Sequence, residues 1–244
     1  MDALNETTAV IVHSSTRDPV EDFDRAHVWF CDLDTVHQTN SPMRSLLSER
    51  ESARAERLKN PQQRERFAAR CAFVRRALAN LTGVAPETLE FRNGPNGKPA
   101  LAPPSDAEDS PIEALEFNLA HSENILALAV AFSRDVGVDV EVVDFNVDVL
   151  GVAEANFAPE ELNWLHALPS RECVLAFYRL WTRKEAIAKA TGQGIVETPV
   201  EKLAESPLMQ IHSFQFKLGE KEIIGALALG AEAVVDDEPC ATFS

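Results

Sequence analysis

Two short stretches hold residue types that could do chemistry together. The first, VGVDVEVV at Val136–Val143, places Asp139 and Glu141 two residues apart. Strand alternation puts both on one face, roughly 7 Å apart. Gly137 and Val143 share that face, while Val136, Val138, Val140 and Val142 take the other. Like charges that close repel unless something positive lies between them. A divalent cation with oxygen ligands meets that need, and a further carboxylate could join its ligand set. The second stretch, FYRLWTRKEAIAKAT at Phe177–Thr191, can supply one. It reads as a helix of roughly four turns at about 3.6 residues each, on which positions four apart stack on one face. Trp181, Glu185 and Lys189 therefore line up above Phe177, with Leu180, Lys184 and Ile187 in the adjoining stripe. A Glu–Lys pair at that spacing commonly marks a solvated face, where it contributes about 0.2–0.5 kcal/mol. Beside Trp and Phe it is unusual for a core-facing side.

The elements that must position these residues are legible nearby. Gly192 and Gly194 suit the end of the helix, and a helix beginning near Ser170 runs into it. Ile125–Phe132, ILALAVAF, reads as a strand joined to Val136–Val143 as a hairpin through Ser133-Arg134-Asp135. Ala114–Leu119 leads as a strand into Ala120-His121-Ser122. A lone histidine is more often structural than catalytic. Here His121 reaches the carboxylates if its strand neighbours theirs.

GVDVE followed by WTRKEAIAK resembles the signature of the Sfp-type 4′-phosphopantetheinyl transferases, (I/V)G(I/V)D(I/V)E and then WxxKEAxxK. The resemblance extends back through FNLAHS (117–122) and GPNGKP (94–99), and covers the chain from Val28 to Leu229. It implies an α/β (α+β) fold of two similar halves related by pseudo-two-fold symmetry, with the active site in the cleft between them. It also implies the reaction: the phosphopantetheine arm of coenzyme A moves onto a serine of an apo acyl or peptidyl carrier protein, releasing 3′,5′-ADP. By the same resemblance Asp139, Glu141 and Glu185 fall on the ligands of Mg²⁺ (or Mn²⁺), and Glu185 on the base, direct or through a water. Lys189 falls on the lysine that steadies the phosphates, His121 on a phosphate-binding histidine and Lys98 on a coenzyme A contact. Where the family often has Ser before this histidine, the chain has Ala120. Trp181 is expected to pack the cleft. Within the basic segment from Arg44 to Arg76, Lys59, Arg64 and Arg66 stand as candidates for the 3′-phosphate, with Arg57 and Arg70 as equal alternatives, because the local pattern there matches the family poorly.

Composition bounds the rest. The chain has 244 residues, 45% hydrophobic, which suffices for one sizeable core or two small ones. Its net charge of -16 argues against non-specific nucleic-acid binding. The four cysteines, Cys31, Cys71, Cys173 and Cys240, are widely spaced and read as unpaired thiols. No basic-then-apolar leader opens the sequence, and the longest apolar run, 125–132, is far shorter than the about 20 residues of a membrane span. The expectation is a cytoplasmic protein, monomeric because one chain supplies both halves of the cleft.

Further elements follow in order. VWFC (28–31) reads as a strand, Ser48 as the N-cap of a helix, and Arg64–Leu81 as a basic helix ended by Gly83. Leu89–Arg92 is a short strand before the turn Asn93–Gly97, residues 102–112 are a loop, and Pro159 opens a helix. His212–Leu218 and Ile223–Leu229 pair across Gly219-Glu220, and an acidic tail begins at Glu232. Laid over each other, the halves match: VWFCDLD on VDVEVVD, LSERE near APEEL, and Arg70, Arg75, Thr82 and Gly83 on Arg179, Lys184, Thr191 and Gly192. The boundary falls between residues 132 and 133, giving an N-terminal half (1–132) with coenzyme A and carrier contacts and a C-terminal half (133–244) with the metal ligands. Two other functions fit parts of this pattern. A Mg²⁺-dependent nuclease also uses carboxylates and a lysine, but the charge opposes it. A non-catalytic coenzyme A- or carrier-binding module would keep the fold without turnover.

Overall fold

ILALAVAF carries no polar side chain, and it forms the middle of a sheet. In the computed structural model, which describes residues 22–23, 26–36, 43–94, 98–102, 112, 114–192 and 209–231, Ile125–Phe132 is strand β6. It is flanked by β2 (Ala26–Asp32) and β5 (Leu115–Ser122), with β1 (Asp22–Phe23) outside β2, all antiparallel. A strand buried on both faces needs apolar residues at both parities. Leu126, Leu128 and Val130 face one core, Ile125, Ala127, Ala129 and Ala131 another. The second sheet is built alike: β9 (Lys221–Gly230) lies between β7 (Val136–Val142) and β8 (Met209–Leu218), again antiparallel. Ile224, Ala226 and Ala228 face one side, Ile223, Leu227 and Leu229 the other. A small hairpin, β3 (Phe91–Asn93) with β4 (Pro99–Leu101), stands apart.

Each sheet carries one long helix. The first is preceded by the short α1 (Leu33–Val36) and by α2 (Glu49–Arg57), where Ser48 and Glu51 form a capping box. α3 (Pro61–Thr82) follows, capped by Asn60 and ended by Gly83 at φ 71°. In the second half come α4 (Val149–Glu154) and α5 (Pro159–His166). α6 (Ser170–Thr191) is then one unbroken helix ended by Gly192 at φ 69°. Both terminal glycines occupy the left-handed region that a Cβ disfavours. One core lies between α3 and the first sheet and one between α6 and the second. A third, with Phe30 against Phe214 and Phe216 at 4.7 and 5.1 Å, joins the two sheets.

The expected hairpin between β6 and β7 does not form. Ser133, at φ 55°, and buried Arg134 turn the chain out of the first sheet, and β7 pairs with β9 instead. Arg134 fixes the crossing by donating to the carbonyl of Gly230 at 2.8 Å and to Gln210 at 2.7 Å. β4 forms because Pro99 opens an extended segment that pairs with β3. Residues 1–21, the turn at 95–97, most of 102–112, Gly194, and the tail with Cys240 lie outside the described residues. Cys31, Cys71 and Cys173 are free thiols. No described helix is long and apolar enough to cross a membrane.

Candidate active site

Val136, Val138 and Val140 pack into the core between the sheets, so alternation turns Gly137, Asp139 and Glu141 toward α6. Gly137 sets how close the helix comes: a Cβ there would lie 2.0 Å from the carbonyl oxygen of Ala186 and 2.4 Å from the nitrogen of Ala190. At that separation Lys189 reaches the strand, donating to Asp139 Oδ1 at 2.6 Å and to the Val138 carbonyl at 3.2 Å. Asp139 is 5% exposed, and its second oxygen, Oδ2, has no hydrogen-bond partner among the described residues.

Burial disfavours the charged form, and it pushes the Asp139 carboxyl up to about 7; Lys189 opposes this, while the charges of Glu141 and Glu185 reinforce it. Glu141 is likewise raised by burial, against a hydrogen bond from Ser122 and the charge of Lys189. The three carboxylates are thus near enough to act on one another. They are not closed round a common point: among the described residues no group of three His, Cys, Asp or Glu forms a ready metal cage. Lys189 supplies the positive charge between them in this structure.

His121 comes to this site by a route the sequence does not display. Asn118 Oδ1 accepts from the Val138 amide at 3.0 Å, and Ser122 Oγ accepts from the Val142 amide at 3.1 Å, each across a separation of 20 residues. The shared offset means that β5 and β7 run side by side in the same direction where the sheets meet, which sets His121 abreast of Glu141. His121 is exposed to solvent, and its charge bears on Glu141. Ala120 packs into the inter-sheet core, so a hydroxyl at that position would face apolar side chains. Trp181 lies on Phe177 at 5.8 Å and beside Phe157 at 6.4 Å, a packing role.

The remaining candidates are more scattered. Arg66 grips Asp34 with two guanidinium nitrogens, one at 2.6 Å, and also lies within the field of Asp32 and Glu123. Glu123 belongs to the turn that directly follows His121 and Ser122, so Arg66 is at the site's end of the sheet. Arg64 folds back on the carbonyl of Leu58 at 2.8 Å. Lys59 is exposed at the junction of α2 and α3. Lys98 pairs with Glu116 at 3.2 Å; that partner is five residues before His121, about 17 Å along an extended strand.

Sequence reasoning missed Ser122 and Asn118, two polar residues four apart on β5 that share a face with the apolar Ala120. It also left Lys184 in an unassigned stripe. Lys184 is 2% exposed and pairs with buried Glu161 at 3.0 Å, over the ring of Phe157.

Comparisons with known proteins give the family. A sequence profile of the 4′-phosphopantetheinyl transferase superfamily matches residues 135–231, the segment holding β7, α6, β8 and β9. The chain is 34% identical over 184 residues to the 4′-phosphopantetheinyl transferase HetI of Nostoc sp., covering 75% of this chain and 76% of the relative. It is 36% identical over 129 residues to AcpT of Escherichia coli, spanning 53% of this chain and 58% of that one. To gsp of Aneurinibacillus migulanus it is 29% identical over 123 residues, 50% and 46% of the two chains. The chain belongs to the 4′-phosphopantetheinyl transferase superfamily. It is a transferase.

Proposed function

We propose that this protein transfers the 4′-phosphopantetheine group of coenzyme A to a serine hydroxyl of an apo acyl or peptidyl carrier protein, with release of 3′,5′-ADP. The observation that supports the reading is the packing of β5 along β7 and of α6 over it, with Lys189 bonded to Asp139 and with the charges of Glu185 and His121 acting on the strand carboxylates. The names of the relatives agree with it.

The donor set fits a hard divalent cation. Three carboxylates offer oxygen ligands only, and Asp139 holds a buried, unpartnered Oδ2. Asp139, Glu141 and Glu185 would hold Mg²⁺ or Mn²⁺, which when bound supplies positive charge to the pyrophosphate. In the reaction the serine oxygen bonds to the phosphorus that carries pantetheine, and the bond from that phosphorus to the bridging oxygen breaks. The electron pair leaves with 3′,5′-ADP, and Glu185 takes the serine proton, directly or through a water. Lys189 and His121 donate to phosphate oxygens as charge moves onto the leaving group. Arg66, within the field of Glu123 in the turn after His121 and Ser122, is the best placed of the basic candidates for the 3′-phosphate; Lys59 and Arg64 stand behind it, and Lys98 would meet a more distant part of this long substrate.

Two further statements belong to the same reading. The halves divide after residue 132 and derive from a duplication. Supporting it, both have a strand, a long helix and a hairpin, with the last strand central in each sheet. Arg75 of α3 is buried and pairs with Glu51 of α2 at 2.8 Å, occupying the place that Lys184 and Glu161 hold in the other half. We also infer a cytoplasmic monomer, since one chain builds the cleft and its free thiols suit a reducing compartment.

Intact-mass analysis of an apo carrier protein tests the reading, after incubation with coenzyme A, Mg²⁺ and the enzyme or its Glu185→Ala variant. A phosphopantetheine mass gain that needs Mg²⁺ and is lost in the variant is expected. Coenzyme A binding with no gain on several carriers would instead support a non-catalytic module.

A further inference from the structure

Where the two sheets meet, β5 replaces ladder hydrogen bonds with side chains. β7 pairs with β9 along one edge, so every second amide of its other edge points toward β5. Asn118 receives one of them, from Val138, and Ser122 receives another, from Val142. Ser122 differs from Asn118 in what it does next: its hydroxyl donates to Glu141 Oε2 at 2.6 Å. A serine hydroxyl has a single proton. Because its oxygen accepts from an amide, which can only donate, that proton is directed to the carboxylate. One oxygen of Glu141 is thereby fixed. Glu141 lies on one half of the molecule and Ser122 on the other, so this bond also ties the carboxylate to the alignment of the sheets.

We propose that Ser122 is a positioning residue that orients the Glu141 carboxylate for the divalent cation. The inference rests on the reading of Asp139, Glu141 and Glu185 as cation ligands, and it adds to that set a residue of the opposite half. Hydrogen bonds to a metal-binding carboxylate from the surrounding shell typically change affinity 10–100-fold when removed. A threonine keeps the hydroxyl and suits a strand, so Ser122→Thr separates the hydroxyl from the local fold. Asn118→Ala removes the other seam bond without touching Glu141.

The test is titration of the full chain with Mn²⁺, with and without coenzyme A, following free Mn²⁺ by electron paramagnetic resonance, alongside Tm for each variant. Ser122→Ala is expected to weaken Mn²⁺ about 10–100-fold, Ser122→Thr to bind near wild type, and Asn118→Ala to lower Tm while keeping Mn²⁺. Wild-type affinity in Ser122→Ala overturns the proposal. So does a loss in Ser122→Thr or Asn118→Ala as large as in Ser122→Ala, or the lack of any wild-type Mn²⁺ site that Asp139→Asn removes. A wild-type chain that binds Mn²⁺ through Asp139 yet transfers nothing refutes the transfer reading instead, and the Ser122 comparison still decides this one.

Discussion

Lys184 stands next to Glu185 in the motif of the site, yet its ammonium is turned into the core. It lies 3.0 Å from Glu161, with the two side chains 0% and 4% exposed, and 5.5 Å from the centre of the Phe157 ring. Glu161 Oε2 also accepts from the Ala158 amide at 2.9 Å at the start of α5. Lys184→Met removes the cation that pairs with the buried carboxylate of Glu161. Breaking a buried pair from one side costs about 3–5 kcal/mol. At roughly 2–4 °C per kcal/mol for a chain of this size, Tm should fall by roughly 6–20 °C. Adding Glu161→Gln should then recover stability. The amide still accepts from Ala158, and a neutral unpaired NH₂ costs about 1–3 kcal/mol, less than a stranded charge. The double variant is therefore expected to be more stable than Lys184→Met, by about 2 kcal/mol at the middle of the two ranges. Urea unfolding of wild type, both single variants and the double variant gives the coupling directly. The double variant should also keep its KM for coenzyme A, because both side chains are buried in the core. A cost below about 1 kcal/mol for Lys184→Met, the range of an exposed ion pair, would refute the reasoning. So would a folded double variant that has lost coenzyme A binding.

Three other outcomes follow from the geometry. Gly137→Ala puts a methyl 2.0 Å from the Ala186 carbonyl and must push α6 off β7; a displacement near 1 Å at the site lowers kcat about 100-fold, and retained turnover would show that the helix does not position Glu185 and Lys189. In metal-free buffer the Asp139 carboxyl, raised from 3.8 to about 7, binds its proton more tightly folded than unfolded. Its contribution to stability is therefore present below pH 4 and lost as pH climbs through about 7; the Tm of wild type should fall over that window relative to Asp139→Asn, and parallel curves would contradict the shift. Burial pushes the Cys31 thiol up to about 12 and the Cys71 thiol to about 11, so neither should react with a thiol reagent at pH 8 until the chain unfolds, and labelling at the rate of an exposed thiol would argue against the packing around β2 and α3.

Most of the local structure, and one side of the site, can be read from the order of the residues. Alternation in VGVDVEVV separates a valine face from a face with Asp139 and Glu141, and the structure keeps that division. Helical spacing predicts that Glu185 and Lys189 share a column. Ser48, Pro159, Gly83 and Gly192 mark helix ends because caps and left-handed residues act within a turn of where they stand. What only the tertiary structure decided concerns partners distant in sequence. β7 leaves β6 for β9, which contradicts the nearest-neighbour hairpin, because buried Arg134 and the inter-sheet core favour the crossing over a ladder. His121 comes abreast of Glu141 because β5 lies along β7, and no periodicity encodes that alignment. Lys184 and Glu185 are neighbours of similar polarity in sequence, yet one is buried in a core and the other is half-buried within the field of Asp139 and Glu141. The roughly 100° between successive helical residues separates them, but only the position of α5, with Glu161 at its first turn, determines which of the two is buried.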